Sequence, residues 1–249
     1  MSSLENIYIS PLELCNLSCL YCYTKKPKTI LTNRQILSFV KKYQKHVNLK
    51  SIIFCGGEVF TLKSFPRLVN NLLKKGIFIS VITNGTVDKL GKIHDPQNCQ
   101  LIVSFDGPED VHDKNRGTGN FAKSKAFVKK ALKLGFPIEI FYLITKDSYP
   151  YKDSLNIFDQ HITYLTDRLG SLSLDQVRDI RNNYPCYPPK KFGCNIFSLQ
   201  SDAKFYGCCE STISIGDLSQ PIKKVIDRYT TVTNKHPLCY DPAFHCQLP

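Results

Sequence analysis

The sequence predicts an α/β fold, an open barrel of about six β/α units followed by a small cysteine-rich C-terminal extension. Two patterns carry this prediction. Short apolar, β-rich runs alternate with amphipathic helical patterns as far as about residue 165, which implies a parallel sheet with right-handed crossovers. Beyond that point the alternation gives way to a stretch holding six of the chain's eleven cysteines. Six units are too few to close an eight-fold barrel, so the fold class is a partial (β/α)6 TIM-like barrel. We divide the 249 residues into a core, 1–165, and an accessory unit, 166–249.

The strands follow in order. Ile7 through Leu14 is the first apolar run, and Ser51–Cys55, Ile79–Ile82, Leu101–Phe105 and Ile138–Ile144 are the next four. A sixth is expected near His161–Leu165. Such short, nearly continuous apolar runs suit buried parallel strands. Between them, Thr32 and Gln35 read as a capping box, and Ile36, Val40, Tyr43 and Val47 share one helical face behind it. Phe65, Leu68, Val69, Leu72 and Leu73 mark a second helix that stops at Gly76. Phe121, Val128, Ala131 and Leu132 mark a third that stops at Gly135. Glycine just past the last apolar turn is a usual helix terminator. The connection after the third strand lacks a helical period. A further helix is expected over Leu174–Arg181, and the proline-rich run from Tyr184 to Pro189 reads as a linker turn.

Bulk composition bounds the function. Charged residues make up 22% and apolar residues 42%, enough for a sizeable core. No apolar run reaches the ~20 residues a membrane span needs. The opening Met-Ser-Ser-Leu-Glu-Asn lacks a charged-then-apolar leader pattern, so we expect a soluble, cytoplasmic protein. The net charge is +12. Most of the cations are lysines in pairs such as Lys41-Lys42 and Lys129-Lys130, which we read as a solvated surface rather than a nucleic-acid footprint. Clustered cysteines in a non-exported chain point to metal or redox chemistry before disulfides.

The chemistry concentrates where strands end. Cys15, Cys19 and Cys22 have C-x3-C-x2-C spacing on the loop after the first strand. Three thiolates there can converge on one soft centre, zinc or iron–sulfur. With no fourth local cysteine, one position is open, as catalysis at a metal centre requires. The second strand ends in Gly56-Gly57-Glu58, where two glycines admit a close approach and a carboxylate can accept from an ammonium. Thr83-Asn84-Gly85 and Ser104-Phe105-Asp106-Gly107-Pro108 end the third and fourth strands, and each is also a plain β-turn sequence. Cys55 and Cys99 read as small buried hydrophobes.

With an aromatic Tyr21 before its last cysteine, the triad resembles the signature of the radical S-adenosylmethionine superfamily. The resemblance implies that Cys15, Cys19 and Cys22 bind three irons of a 4Fe–4S cluster whose fourth iron takes the amino and carboxylate groups of S-adenosylmethionine. It further implies cofactor contacts from Tyr21, Gly56, Gly57, Glu58, Asn84, Ser104 and Asp106, with Glu58 near the methionine amino group. Val59 stands where the family usually has proline. His112-Asp113-Lys114-Asn115-Arg116 is similar to a stretch of peptide- and protein-modifying members, and Arg116 is a candidate partner of the methionine carboxylate or of substrate, or equally a surface arginine.

The tail carries Cys186, Cys194, Cys208, Cys209, Cys239 and Cys246. Asp202–Cys208 and Ile215–Leu218 resemble a segment of the SPASM and twitch extensions and the turn after it. Those extensions bind auxiliary 4Fe–4S clusters, which implies one such cluster on Cys194, Cys208, Cys239 and Cys246, with Cys186 or Cys209 as substitutes. Four thiolates suit zinc equally well.

The implied reaction is reductive cleavage of S-adenosylmethionine to a 5′-deoxyadenosyl radical that takes hydrogen from a substrate C–H bond. The electron comes from a donor such as flavodoxin or ferredoxin. The expected substrate is a peptide or protein side chain. A small-molecule sugar or cyclitol alcohol is the alternative, and a zinc-stabilised nucleic-acid-binding module is the alternative of another class. The first strand starts near residue 6, so the peptide reading calls for a separate peptide-recognition partner. No residue outside these motifs stands out as a catalytic acid or base.

Overall fold

The computed structural model describes residues 4–22, 24, 27–154, 158–166, 171–186, 196–208, 211 and 213–235, with backbone alone for 232–235. Six strands follow the chain in order: β1 (Asn6–Leu12), β2 (Ser51–Gly56), β3 (Phe78–Thr83), β4 (Cys99–Phe105), β5 (Ile138–Ile144) and β6 (His161–Thr166). Each pairs in parallel with the next. A short β7 (Ser198–Leu199) pairs in parallel with the other edge of β1. Antiparallel β8 (Lys204–Tyr206) and β9 (Ser214–Asp217) continue from it. The nine strands form one open sheet with β6 and β9 outermost. The open α/β barrel expected from the sequence is thus present, and the described part of the extension adds strands to the same sheet.

The helices are α1 (Asn33–Tyr43), α2 (Phe65–Leu73), α3 (Glu109–Arg116), α4 (Asn120–Lys133), α5 (Leu174–Asn183) and α6 (Ile222–Lys235). The capping box of α1 forms as read: the Gln35 amide donates to Thr32 Oγ1 at 3.2 Å and the Thr32 amide donates to Gln35 Oε1 at 2.9 Å. Helix α1 ends at Tyr43, so Val47 lies beyond it, half-buried against the core. In α4 the buried position is Phe127, whereas Leu132 faces outward. After β3 the chain makes only two single-turn 3-10 segments, Leu90–Lys92 and Pro96–Asn98. Helices α3 and α6 are not anticipated by the sequence pattern. Helix α3 is strongly polar, with charged residues at Glu109, Asp110, Asp113, Lys114 and Arg116, so it shows no apolar stripe.

Strand alternation sorts the core. Ile7, Ile9, Ile52, Phe54, Val81, Leu101 and Val103 pack into the core with the apolar faces of the helices. Their neighbours in sequence, among them Ser10, Cys55, Ser80, Gln100 and Ser104, point to the opposite, concave face. A polar chain crosses that face. Ser80 Oγ donates to Gln100 Oε1 (3.0 Å), Gln100 Nε2 to Glu139 Oε2 (3.2 Å), and Thr163 Oγ1 to Glu139 Oε1 (2.7 Å). Glu139 is only 5% exposed, and these donors satisfy its buried carboxylate. The extension is fastened on the helical face by stacked rings: Phe197 lies against Phe39, Tyr43, Phe205 and Tyr229, with centroids 5.2–6.5 Å apart.

Candidate active site

The sequence-predicted residues of the first 120 positions gather at the C-terminal ends of β1 to β4, where chemistry sits in β/α barrels. Glycines join the first two ends. The Gly57 amide donates to the Leu12 carbonyl (2.9 Å) and the Glu58 amide to the Leu14 carbonyl (3.0 Å). A Cβ on Gly56 would run into the Leu12 carbonyl and Ser10 Oγ, and one on Gly57 into the carbonyl of Leu14. Only glycine lets β2 lie this close to the segment that delivers Cys15.

Glu58 is fully buried. Its Oε1 accepts from the Phe60 amide at 3.0 Å, and its Oε2 accepts from Thr83 Oγ1 at 2.9 Å and from the Asn84 amide at 2.8 Å. Burial pushes its carboxyl pKa up, while these donors pull the other way. The carboxylate therefore ties the end of β2 to the end of β3.

Asn84 carries that tie onward to the cysteine loop. Its Nδ2 donates to Asn16 Oδ1 (3.1 Å) and toward Cys15 Sγ (3.6 Å), and its Oδ1 accepts from the Thr86 amide and hydroxyl. Asn16 Nδ2 donates to Thr86 Oγ1 (2.8 Å), and Ser124 Oγ holds the Asn84 carbonyl (2.7 Å). The Leu17 amide points at Cys15 Sγ from 3.4 Å, so that sulfur has two N–H groups directed at it.

The other end of the loop is braced by a buried ion pair. Arg116 Nε lies 2.9 Å from each Asp106 oxygen, and Nη2 lies 2.7 Å from Oδ1. Asp106 is fully buried and Arg116 nearly so. Tyr21 OH donates to the same carboxylate at 2.7 Å, and the guanidinium stands over the Tyr21 ring, 5.6 Å from its centroid. The Leu20 amide donates to the Asn115 carbonyl of α3 (3.0 Å). Burial lowers the Arg116 pKa, but the Asp106 charge outweighs it and the net shift is upward. The surface reading of Arg116 does not hold: the side chain is inside, on a helix, and paired with Asp106.

Cys15, Cys19 and Cys22 share one loop. Burial raises the Cys19 pKa, Arg116 lowers it, and Asp106, Cys15 and Cys22 raise it further. Three soft thiolates in this setting fit an iron–sulfur cluster. Ser104 is half-buried on the concave face, two residues before Asp106. Among the accessory cysteines, Cys208 is buried after β8, and Cys186 pairs beside Tyr164 of β6, its thiol pushed up to about 11 by burial. Cys194, Cys209, Cys239 and Cys246 lie outside the described residues. Sequence reasoning missed Asn16, Thr86 and Ser124. Their single polar side chains follow no period, and partners such as Ser124 and Asn84 are 40 positions apart. Among the described residues no helix is long and apolar enough to cross a membrane.

The profile of the Radical SAM superfamily matches residues 9–148, and the chain belongs to that superfamily. Among curated relatives, it is 27% identical over 143 residues to the sporulation killing factor maturation protein SkfB of Bacillus subtilis (strain 168), covering 54% of this chain and 34% of that one. It is 26% identical over 212 residues to the cysteine-type anaerobic sulfatase-maturating enzyme of Clostridium novyi (strain NT), covering 74% of this chain and 55% of the relative. The chain thus spans between a third and just over half of these relatives. Among solved structures, native anSMEcpe with bound AdoMet and Cp18Cys peptide superposes with a TM-score of 0.75 at 18% identity, over 91% of this chain and 81% of that one. Streptococcus suis SuiB bound to precursor peptide SuiA gives 0.72 at 12% identity, over 90% and 64%. At these identities the two structures speak for the fold alone.

Proposed function

We propose that this chain is a radical S-adenosylmethionine enzyme that modifies a peptide or protein side chain. The observation that carries the proposal is the cysteine loop, fastened at one end by Asn84 and at the other by Tyr21, Asp106 and Arg116. Cys15, Cys19 and Cys22 are the proposed ligands of a 4Fe–4S cluster. When bound, the cluster supplies the one-electron reduction that splits the sulfonium of S-adenosylmethionine and begins radical chemistry.

The chain's own residues prepare that site. Gly56 and Gly57 let the backbone after β2 close against the cysteine loop. The Leu17 amide and Asn84 Nδ2 direct donors at Cys15 Sγ, which lowers the charge a ligating thiolate must carry. Arg116 sets a positive charge near Cys19, while Asp106 neutralises the arginine and keeps it in place. Glu58, fully buried, fixes the ends of β2 and β3 so that the backbone lining the cofactor position is preorganised.

The peptide substrate is favoured by the maturation roles in the names of SkfB and of the sulfatase-maturating relatives. Residues 166–249 are proposed as an accessory unit holding one auxiliary cluster through Cys194, Cys208, Cys239 and Cys246. A flavodoxin or ferredoxin is the proposed electron donor. Anaerobic reconstitution tests the whole reading. Wild type should bind about eight irons, ~4 per cluster, and release 5′-deoxyadenosine from S-adenosylmethionine. Cys19→Ala should lose half of the iron and all cleavage. Zinc in place of iron, or cleavage that survives in Cys19→Ala, overturns it.

A further inference from the structure

Two clefts flank the N-terminal turn of α1, on the helical side of the sheet. One, of about 360 Å³, lies between the segment leading into α1 and the start of α2, with Ile30, Leu62, Arg34 and Arg67 on its walls. The other, of about 240 Å³, lies between α1 and the accessory strands, with Phe39, Phe205 and Ile222 at its base and Arg34 and Lys42 on its rim. Arg34 borders both, so the two clefts adjoin at the first turn of α1 and make a groove in two parts. Its first half adjoins the active-site rim: Ile30 bridges to Leu12 at the end of β1, and Leu62 follows the short turn begun by Glu58.

The groove's charge is one-sided. Arg34, Lys42 and Arg67 are exposed, and among the described residues none of them forms an ion pair or a side-chain hydrogen bond. Neither α1 nor α2 contains an acidic residue. The nearby carboxylate of Asp217 is taken up by Ser219 and Gln220. Lys89, hydrogen-bonded to the Thr61 and Leu62 carbonyls, has its pKa lowered first by burial and then by Lys92 and Lys63, so like charges crowd this edge too. Ile30, at 45% exposure, is an apolar side chain left bare beside these cations.

We propose that this groove binds an acidic, apolar-containing peptide segment, laid across α1 from the accessory strands toward the active-site rim. The proposal deepens the peptide-modifying reading and rests on it for the segment's identity as part of the peptide substrate. Charge complementarity selects the acidic peptide: carboxylates would meet Arg34, Arg67 and Lys42, and apolar side chains would meet Ile30 and Leu62. Nucleic acid is disfavoured because the two rings at the base, Phe39 and Phe205, are 2% and 1% exposed and offer no face for stacking.

The test is fluorescence anisotropy on the reconstituted holoprotein, with a labelled peptide of alternating Glu and Leu. A Lys/Leu peptide and a single-stranded oligonucleotide are the comparison probes. The Glu/Leu peptide should bind, and Arg34→Glu/Arg67→Glu should weaken it by about tenfold or more, with a smaller salt dependence. The double variant should keep wild-type iron content and substrate-free cleavage of S-adenosylmethionine. No binding of the Glu/Leu peptide, equal binding by wild type and variant, or tighter binding of the oligonucleotide overturns the proposal. Those outcomes are separate from failure of the radical reading, which appears as missing iron or missing cleavage with peptide binding intact.

Discussion

The rim over β1–β4 and the accessory strands β7–β9 are joined to the rest of the molecule by opposite means. At the rim the fastenings are polar and buried: Glu58 with Thr83 and the Asn84 amide, Asn84 with Cys15, and Asp106 with Arg116 and Tyr21. At the accessory strands, beside the backbone pairing of β7 with β1, the side-chain fastenings are rings: Phe197 among Phe39, Tyr43, Phe205 and Tyr229. Apolar contact is non-directional and tolerates small shifts. Buried hydrogen bonds are directional, and an unpaired one is costly. The molecule uses the directional kind where a loop must hold three thiols in one arrangement, and the tolerant kind where a segment needs only to be held down.

This contrast can be broken by substitution. Arg116→Leu should have the largest effect, because it leaves the fully buried Asp106 charge without its cation. Removing one member of a buried pair typically costs about 3–5 kcal/mol. Urea unfolding should show that loss, and reconstituted iron should fall as the cysteine loop loosens. Phe197→Ala removes a fully buried ring and should cost about 3–5 kcal/mol as well. Here the contrast sharpens: the iron bound by Cys15, Cys19 and Cys22 should be retained below the unfolding transition. If both variants lose that iron equally, the two regions are one cooperative unit and the distinction fails.

The smallest expected effect is one of pH. His112 is fully buried on α3 between Phe105 and Phe121, and among the described residues its ring nitrogens have no hydrogen-bond partner. Burial, with Arg116 nearby, pushes its pKa down from 6.5 to about 4. Between those values the unfolded chain takes up a proton that the folded protein refuses. Folded stability should therefore fall as pH drops from about 6.5 toward 4, at about 1.4 kcal/mol per unit within that window. Above the window this group contributes nothing to the pH dependence. Unfolding free energies measured at pH 7 and 5.5 should show the slope in wild type and a flatter one in His112→Leu. Equal slopes would mean that His112 is hydrated in the folded state.

The sequence was most legible where a period or a short motif encoded the outcome. Six strand runs, the Thr32–Gln35 box and the stops before Gly76 and Gly135 could all be read, because each depends on neighbours in the chain. The same holds for the cysteine spacing and the paired glycines. Helix α3 was opaque because its buried face is polar: His112, Asn115 and Arg116 are buried together with Val111. Arg116 was misread for the same reason, since nothing local announces that Asp106, ten positions earlier, will meet it.

By itself, then, the sequence determined the order of β1 to β6 and of helices α1, α2, α4 and α5, the open barrel, and the loop that carries Cys15, Cys19 and Cys22. Backbone propensity, apolar period and the tight approach allowed by Gly56 and Gly57 are local properties and survive being read in one dimension. Only the tertiary structure decided how the polar side chains are spent: Glu58 and Arg116 inward as fastenings, Arg34 and Arg67 outward and unpaired. A hydrogen bond or an ion pair is fixed by angstrom-scale distances in space, and residues far apart in the chain acquire those distances only when the sheet has brought their strands together.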